Sequence, residues 1–198
     1  MEITNITGHL LLLMAPSGSG KKSIIDSVLV SHRDIYFAKT YTTRDIREGV
    51  EENPLYMFTS KEHFQEMIDN EELIEWAEFS GNFYGTPKSE VIEPLQKGKV
   101  VFKEMELQGV KQIKELVPDS NRTIVYIDAG DWQNLEKRIV GRAPISAEHL
   151  ELRRQRFEEE CQFQGDADII IRNHDGELSA AVEHMDHIVM GIVESVKK

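Results

Sequence analysis

Apolar residues recur along this chain in two patterns, which predict strands and helices in alternation. Short apolar runs indicate buried strands over 9–15, 35–39, 73–79, 100–105, 123–128 and 169–171. Apolar positions on one helical face predict helices over 21–30, 60–70, 87–97, 110–116, 131–140, 147–163 and 178–196. This alternation is typical of an α/β fold built on a parallel sheet. The polar stretch 40–53 fits a loop or edge strands.

Local signals predict where two helices begin and which face of a strand is buried. Thr59 and Glu62 have the spacing of a capping box for the second helix. Thr86 at a cap and Pro87 at the first helical position predict the start of the third helix. In the strand before it, Trp76 and Phe79 are expected to belong to the core rather than to stack on a ligand.

The charge and the cysteine content restrict the partners of the chain. Asp and Glu number 35, and Lys and Arg number 23, which gives a formal net charge of −12. Nonspecific binding to nucleic acid is therefore not expected, and any anion site must be a local cluster of basic residues.

The single cysteine, Cys161, excludes an internal disulfide and a thiolate zinc cluster. No apolar run approaches the length of a membrane span, so we expect a cytoplasmic protein that binds no membrane, with its oligomeric state open.

The turn after the first strand nearly matches the phosphate-binding pattern G-x-x-x-x-G-K-[ST]. Gly18 and Gly20 allow backbone N–H groups to curl around phosphate oxygens, and Lys21 is placed to reach the β and γ phosphates. Ala15 replaces the first glycine, and Lys22 replaces the hydroxyl that would bind Mg²⁺. A simple Gly/Ser turn is the alternative, but the position between a strand and a helix favours a phosphate loop. The loop residues are Ala15, Pro16, Ser17, Gly18, Ser19, Gly20, Lys21, Lys22 and Ser23.

Further segments carry motifs that occur together in one family. Residues 42–49 read TTRDIREG, residues 74–86 read IEWAEFSGNFYGT, and a Gly-Lys pair at 98–99 precedes EMELQG at 104–109. These segments resemble the T-T-R-x-x-R-x-G, I-E-W-A-x-x-x-G-N-Y-Y-G-[ST], G-K and D-x-D-x-Q-G motifs of guanylate kinases and guanylate-kinase-like domains. The resemblance extends over about residues 8–193, with glutamates where the last motif has aspartates.

The resemblance implies an α/β fold of the P-loop nucleoside-monophosphate-kinase-like type, with a three-layer core and a parallel sheet. Residues 1–39 and 87–198 are expected to form the core, with a lid at about 142–152. Residues 40–86 are expected to form a small inserted domain that binds GMP.

A nucleoside monophosphate is a dianion attached to a base, so its site needs several donors for oxygen and one carboxylate for ring N–H groups. The resemblance assigns the GMP phosphate to Thr40, Arg44, Arg47, Tyr56 and Tyr84. It places Glu75 on guanine N1 and N2 and the Thr86 hydroxyl on O6, with Glu106 also in the GMP site. A carboxylate that accepts two ring N–H bonds selects guanine over adenine. A solvated surface pair is the alternative interpretation of the two arginines.

Phosphoryl transfer needs positive charge around the moving γ-phosphoryl group rather than a covalent nucleophile. The candidates are Lys21, Arg142 and Arg153, with Arg138 in support. For Arg138 and Arg153, a charged and solvated helix face is the alternative. The resemblance places Asn173 near the adenine, and Glu104 is expected near Mg²⁺ through water.

These features together predict ATP-dependent phosphorylation of GMP or dGMP to GDP or dGDP, with ATP as phosphoryl donor and Mg²⁺ as cofactor. Because an ammonium cannot coordinate a metal, Lys22 predicts reduced activity, and Ala15 is a second irregularity. A binding module is the alternative, since guanylate-kinase-like domains of scaffold proteins have lost parts of the phosphate loop and hold phosphorylated peptides. The retained Gly18, Gly20 and Lys21 favour the enzyme.

Overall fold

The computed structural model describes residues 5–46, 55–79, 81–141 and 144–197. The chain divides into two compact units. The first unit comprises Met1–Leu11 and Ile35–Arg122, and the second comprises Leu12–Asp34 and Thr123–Lys198. The predicted inserted domain at 40–86 falls inside the first unit, and its identity as a separate GMP-binding domain stays a prediction.

Strands and helices alternate along most of the chain, as the sequence pattern predicts. The strands are β1 (His9–Met14), β2 (Tyr36–Phe37), β3 (Thr40–Thr42), β4 (Tyr56–Phe58), β5 (Leu73–Phe79), β6 (Asn82–Pro87), β7 (Val100–Glu104), β8 (Arg122–Asp128) and β9 (Ile169–Arg172). The helices are α1 (Lys21–Ser31), α2 (Lys61–Asp69), α3 (Lys88–Gln96), α4 (Leu107–Lys114), α5 (Trp132–Val140), α6 (Ala147–Gln162) and α7 (Leu178–Val196). Short 3₁₀ helices lie at Asp119–Asn121 and Phe163–Asp166.

The five-stranded sheet has the strand order β2-β7-β1-β8-β9. β2 pairs with β7 and β8 pairs with β9, both in parallel, which confirms the predicted parallel sheet. Residues 10–14 of β1 have no solvent-exposed surface. This is the burial expected of a central strand that is covered on both faces, and it anchors the loop that follows β1.

The four-stranded sheet has the order β4-β3-β6-β5 and is mainly antiparallel. β3 and β5 both pair antiparallel with β6, whereas β3 and β4 are parallel. The sequence pattern does not predict β6, and the predicted helix start at Thr86 and Pro87 is wrong, because both residues belong to this strand. Pairing of Thr86 with Glu75 holds the segment extended, and α3 begins only at Lys88.

The start of α2 also differs from the prediction by one residue. The Oγ of Ser60 accepts a hydrogen bond from the backbone N–H of His63 at 3.1 Å, so Ser60 and not Thr59 is the N-cap. The backbone N–H of Thr59 instead donates to the carbonyl of Thr42 at 2.9 Å. That bond holds Thr59 beside β3, which prevents it from capping the helix.

The α2 helix covers the four-stranded sheet through a small apolar core. Phe64 and Met67 of this helix pack with Leu73 of β5. Trp76, predicted in the core, is 41% exposed, so that prediction is wrong. The side chain of Phe79 lies outside what the structure describes. The pairing register of β5 and β6 shifts between Leu73 and Glu75, and such a shift changes the face on which the following side chains lie.

In the second unit, α7 packs against α1. Nε2 of His32, at the end of α1, lies 2.5 Å from Oδ1 of Asp186 in α7. The bounds of α7 are those that its apolar spacing predicts. In the described part of the chain, no helix combines the length and the apolar character needed to cross a membrane.

Candidate functional site

The phosphate loop between β1 and α1 takes its shape from two glycines. Gly18 and Gly20 both have a φ of +85°, a conformation that L side chains adopt only with strain. Gly20 is also the N-cap of α1, so the first backbone N–H groups of the helix follow directly. Ala15 is 4% exposed, and its methyl group is accommodated in the interior. The alanine that replaces the first glycine of the phosphate-loop pattern therefore leaves the turn intact.

Two side chains of the second unit, Ile139 and Asn173, pack closely against the loop. A Cβ on Gly18 would lie 3.0 Å from the Ile139 side chain, and a Cβ on Gly20 would lie 2.5 Å from Nδ2 of Asn173. Asn173 is buried and donates from Nδ2 to the carbonyl of Ser19 at 2.6 Å. The structure thus shows Asn173 bound to the loop, and its predicted contact with adenine stays a prediction.

The two loop lysines point to different partners. Nζ of Lys21 donates to the carbonyl of Ala15 at 3.3 Å, so this side chain folds back over the loop. Nζ of Lys22 lies 2.6 Å from Oδ2 of Asp26, in an exposed pair one turn along α1. The ammonium at the position of the metal-binding hydroxyl is therefore partly neutralised by a carboxylate on the helix surface.

The described side chains offer no protein cage for a metal ion. Within residues 5–46, 55–79, 81–141 and 144–197, no group of three or more His, Cys, Asp or Glu side chains is arranged to hold one. Lys22 cannot coordinate a cation, and Glu104 is the last residue of β7 in the first unit. The residues that the structure describes do not fit a resident Mg²⁺ site, and a role for Glu104 through water stays a prediction.

The predicted catalytic arginines have different surroundings. Nη1 of Arg153, on α6, donates a short hydrogen bond to Oγ of Ser17, which brings its positive charge to the loop. Nη2 of Arg138 lies 2.6 Å from Oδ1 of Asp175, and the hydrogen bond to Arg138 lowers the pKa of that carboxyl. Arg142 lies outside the described residues. Of the predicted lid, only residues 144–152 are described, and they include the start of α6.

In the first unit, β3, β4 and β6 bring several predicted GMP residues to neighbouring positions. Thr40 pairs in register with Tyr56, and Tyr84 pairs with Thr42. The guanidinium carbon of Arg44 lies 5.6 Å from the ring centroid of Tyr56. Arg47 falls outside the described residues.

Arg44 carries a donor that is ready for an anion. Among the described residues, its Nε is buried and has no hydrogen-bond partner. A buried donor without a partner costs free energy, and natural structures keep few of them. An oxygen atom of a bound phosphate would satisfy this donor.

The partly buried Glu75 and the buried Thr86 form a pair where β5 meets β6. Oγ1 of Thr86 donates to Oε1 of Glu75 at 2.5 Å. The absence of a side chain at Gly109 leaves room for the carboxylate, because a Cβ there would lie 3.0 Å from Oε2 of Glu75. Burial raises the pKa of Glu75, the charge of Lys103 opposes that rise, and the charge of Glu106 adds to it. The result is a desolvated carboxylate with one oxygen already bound to a hydroxyl.

Lys103 is a further residue of this region, and no sequence motif points to it. It lies on β7, it is 3% exposed, and its Nζ donates to Oγ1 of Thr40 and, at 3.4 Å, to the carbonyl of Ala38. Burial lowers the pKa of Lys103 to about 8. The signal in the sequence is a single lysine that interrupts the apolar run of a predicted buried strand.

Comparisons with known proteins agree over nearly the whole chain. A family model described as guanylate kinase matches residues 7–191. A guanylate kinase of Trichodesmium erythraeum is 38% identical over 183 residues, which cover 92% of this chain and 96% of that protein. A guanylate kinase of Lactococcus lactis is 36% identical over 173 residues, which cover 87% of this chain and 83% of that protein.

Solved structures give the same result for the fold. The crystal structure of guanylate kinase from Anaplasma phagocytophilum superposes with a TM-score of 0.67 at 21% identity, covering 96% of this chain and 87% of that chain. The likeness confirms the predicted α/β fold of the P-loop nucleoside-monophosphate-kinase-like type.

Proposed function

Since this chain belongs to the guanylate kinase family, we propose that it transfers the γ-phosphoryl group of ATP to GMP, and to dGMP, in the cytoplasm. The observation that carries the proposal is the partly buried Glu75 carboxylate, held by Thr86 and given room by Gly109. An enclosed acceptor of this kind suits a base that presents two adjacent ring N–H donors. Guanine presents such a pair, and adenine does not.

The acceptor phosphate is held by donors that lie beside the base site. Arg44 provides a partly buried guanidinium whose Nε is buried and without a partner among the described residues, and the Tyr56 ring lies 5.6 Å from its guanidinium carbon. Thr40 and Tyr84 provide hydroxyls on neighbouring strands. A dianion bound by these groups is oriented as a nucleophile without being protonated by them.

The donor phosphates are held by the loop and by charges of the second unit. Backbone N–H groups at the start of α1 bind phosphate oxygens, and Lys21 and Arg153 offset the charge that develops on the γ-phosphoryl group. An oxygen of the GMP phosphate forms the new bond to the γ-phosphorus, and the bond from that phosphorus to the β–γ bridging oxygen of ATP breaks. ADP and GDP are the products, and no covalent intermediate with the protein is needed.

A bound Mg²⁺ would supply further positive charge to the phosphates of ATP. The described residues do not build a site of their own for this ion, because Lys22 occupies the hydroxyl position and pairs with Asp26. We therefore assign its ligands to the nucleotide and to water, which suits a cation that keeps much of its hydration shell.

A phosphopeptide-binding module is the second candidate, and the engagement of Lys22 with Asp26 is the observation that favours it. The glycine geometry of the loop and the return of Lys21 over it favour the enzyme, since a phosphopeptide binder has no use for a second phosphate site.

Measurement of ADP release with GMP, dGMP, AMP and UMP as acceptors tests the proposal. We expect turnover with GMP and dGMP and only background release with AMP and UMP. Equal turnover with AMP would remove the assignment of Glu75. Absence of turnover with all four, together with GMP binding in calorimetry, would favour the binding module.

A further inference from the structure

We propose that Lys103 is a positioning residue for GMP, an interior ammonium that directs the Thr40 hydroxyl toward the nucleotide and keeps Glu75 in its acceptor form. The inference rests on the proposed function of this site. It deepens that function by naming a residue that acts through two others without touching the substrate.

The placement of Lys103 is costly for the fold, which calls for a reason other than stability. Its neighbours Val100, Val101 and Phe102 on β7 are at most 5% exposed, and an apolar side chain would fit the same strand. An ammonium in such a place loses its hydration, and that loss costs free energy that its hydrogen bonds and neighbouring charges must offset.

The hydrogen bonds of Lys103 fix the direction of the Thr40 hydroxyl. An ammonium has donors and no acceptor, so Oγ1 of Thr40 is the acceptor in its bond with Nζ. The proton of that hydroxyl must then point away from Lys103. Thr40 is thereby prepared to donate to an oxygen of GMP, beside Tyr56 on the adjacent strand.

The charge of Lys103 also acts on Glu75. Burial favours the protonated form of this carboxyl, and the nearby charge of Glu106 adds to the effect, whereas Lys103 favours the ionised form. Because Thr86 donates to Oε1, an ionised Glu75 retains acceptor capacity for the ring N–H groups of guanine. A protonated Glu75 would present an O–H group to those same donors.

A purely structural ion pair of Lys103 with Glu90 is the competing explanation. Oε2 of Glu90 already accepts hydrogen bonds from the Tyr36 hydroxyl and from the backbone N–H of Lys39, both at 2.9 Å. The described hydrogen bonds of Lys103 go instead to Thr40 and Ala38. The contacts of the ammonium therefore lead toward the GMP residues.

Substitution of Lys103 by methionine, which has a similar length and no charge, separates the two explanations. We expect the KM for GMP and its calorimetric Kd to rise by about 10-fold or more, which corresponds to one or two lost or weakened polar contacts. The KM for ATP should change less than about 2-fold, and the kcat should fall less than the KM for GMP rises. Lys103→Arg, which keeps the charge, should recover part of the GMP affinity.

Lys99→Met is the matched control, because it removes the same charge from an exposed position just before β7. It should leave GMP affinity unchanged. The ratio of GMP to IMP affinity gives a second measurement, since IMP lacks the exocyclic amino group that Glu75 is proposed to bind. This ratio should fall in Lys103→Met. In a Thr40→Val background, the effect of Lys103→Met on GMP affinity should be reduced, because one of its two targets is gone.

Several results would overturn the inference. Unchanged GMP affinity in a folded Lys103→Met variant would do so, as would a lowered unfolding midpoint with the same KM for GMP. If the unaltered protein binds GMP but releases no ADP, the kinase proposal fails, and the affinity measurements still decide the role of Lys103. If the unaltered protein does not bind GMP, both proposals are refuted.

Discussion

The phosphate loop and the GMP region hold nucleotide groups in different ways. The loop is shaped by backbone conformation, through two glycines at positive φ, a helix start and the Asn173 amide below it. The GMP region depends instead on charged side chains with little access to water, namely the buried Lys103 and the partly buried Arg44 and Glu75.

This difference has consequences for tolerance to substitution. A backbone site tolerates changes at positions whose side chains face away from the ligand, which explains how Ala15 and Lys22 can stand in an intact loop. A site made of buried charges tolerates few changes, because each charge is balanced by the others. The loop should therefore be sensitive at its glycines and at Lys21, and the GMP region at each charged residue.

The largest expected effect is at Lys21, the charged side chain that folds back over the loop. Lys21→Met removes a positive charge from the γ-phosphoryl group, and we expect kcat to fall by roughly 10²–10³-fold, a typical loss for one charge-stabilising donor. GMP affinity should be unchanged. Steady-state kinetics with Lys197→Met as the charge control measures this. A fall below about 5-fold would show that the loop acts through its backbone alone.

Glu75→Gln tests the GMP region. The amide replaces an acceptor by an N–H₂ donor that faces the ring N–H groups, so GMP affinity should fall by about 1–3 kcal/mol, or roughly 10- to 100-fold. Glu78→Gln, at an exposed position of the same strand, is the matched control. Calorimetry that finds the same GMP affinity in both variants would remove Glu75 from the site.

Glu75→Gln should weaken GMP binding without lowering the free energy of unfolding at neutral pH. Burial raises the pKa of Glu75 in the folded protein above its unfolded value. Its contribution to the free energy of unfolding is therefore fully present below the unfolded pKa and is lost as pH rises through the folded pKa. At neutral pH, Glu75→Gln should be at least as stable as the unaltered protein, as measured by urea unfolding at pH 5 and pH 7. A clear loss of stability at pH 7 would mean that the carboxylate supports the fold.

Alanine substitutions at two glycines with the same φ distinguish the cost of backbone strain from the cost of crowding in the loop. Gly20 and Gly176 both have a φ of +85°, but a Cβ on Gly20 would meet Asn173, whereas a Cβ on Gly176 would meet no atom within 4 Å. Gly176→Ala should cost about 1–2 kcal/mol of unfolding free energy from strain alone. Gly20→Ala should cost more than that and should also weaken ATP binding. Equal losses in the two variants would show that Asn173 moves aside without consequence.

Sequence patterns predict those parts of the molecule that depend on neighbours close in the chain. The bounds of α7 follow from apolar spacing within one helix, and the loop is recognised from adjacent residues. β6 is missed because Thr86 and Pro87 are good helix-start residues, and only pairing with β5 keeps them extended. The exposure of Trp76 depends on a register shift, which local alternation cannot reveal.

The site shows the same division. Glu75 and Thr86 are found through a motif, and their hydrogen bond follows from strand register. Lys103 lies outside the motif pattern, and its contact with Thr40 joins two strands that are 63 residues apart in the chain. A lysine in a buried strand is a visible irregularity, but the partner that explains it becomes known only from the packed structure.

The smallest expected effect is at Lys22, for which the sequence alone predicts reduced activity. Two like charges in the first turn of a helix should oppose the entry of a cation. In the structure, however, the Lys22 side chain is 70% exposed and lies 2.6 Å from Asp26, so solvent and a carboxylate both weaken its field. Lys22→Ser should therefore raise kcat, and lower the Mg²⁺ concentration for half-maximal turnover, by no more than about 10-fold. Loss of the exposed pair should cost only about 0.3–0.5 kcal/mol of stability.

Asp26→Asn is the matched control with the opposite sign, since it leaves Lys22 unbalanced and should raise the Mg²⁺ requirement. A fall in kcat in Lys22→Ser would identify Lys22 as a phosphate ligand, and the loop would then depend on its side chains as the GMP region does.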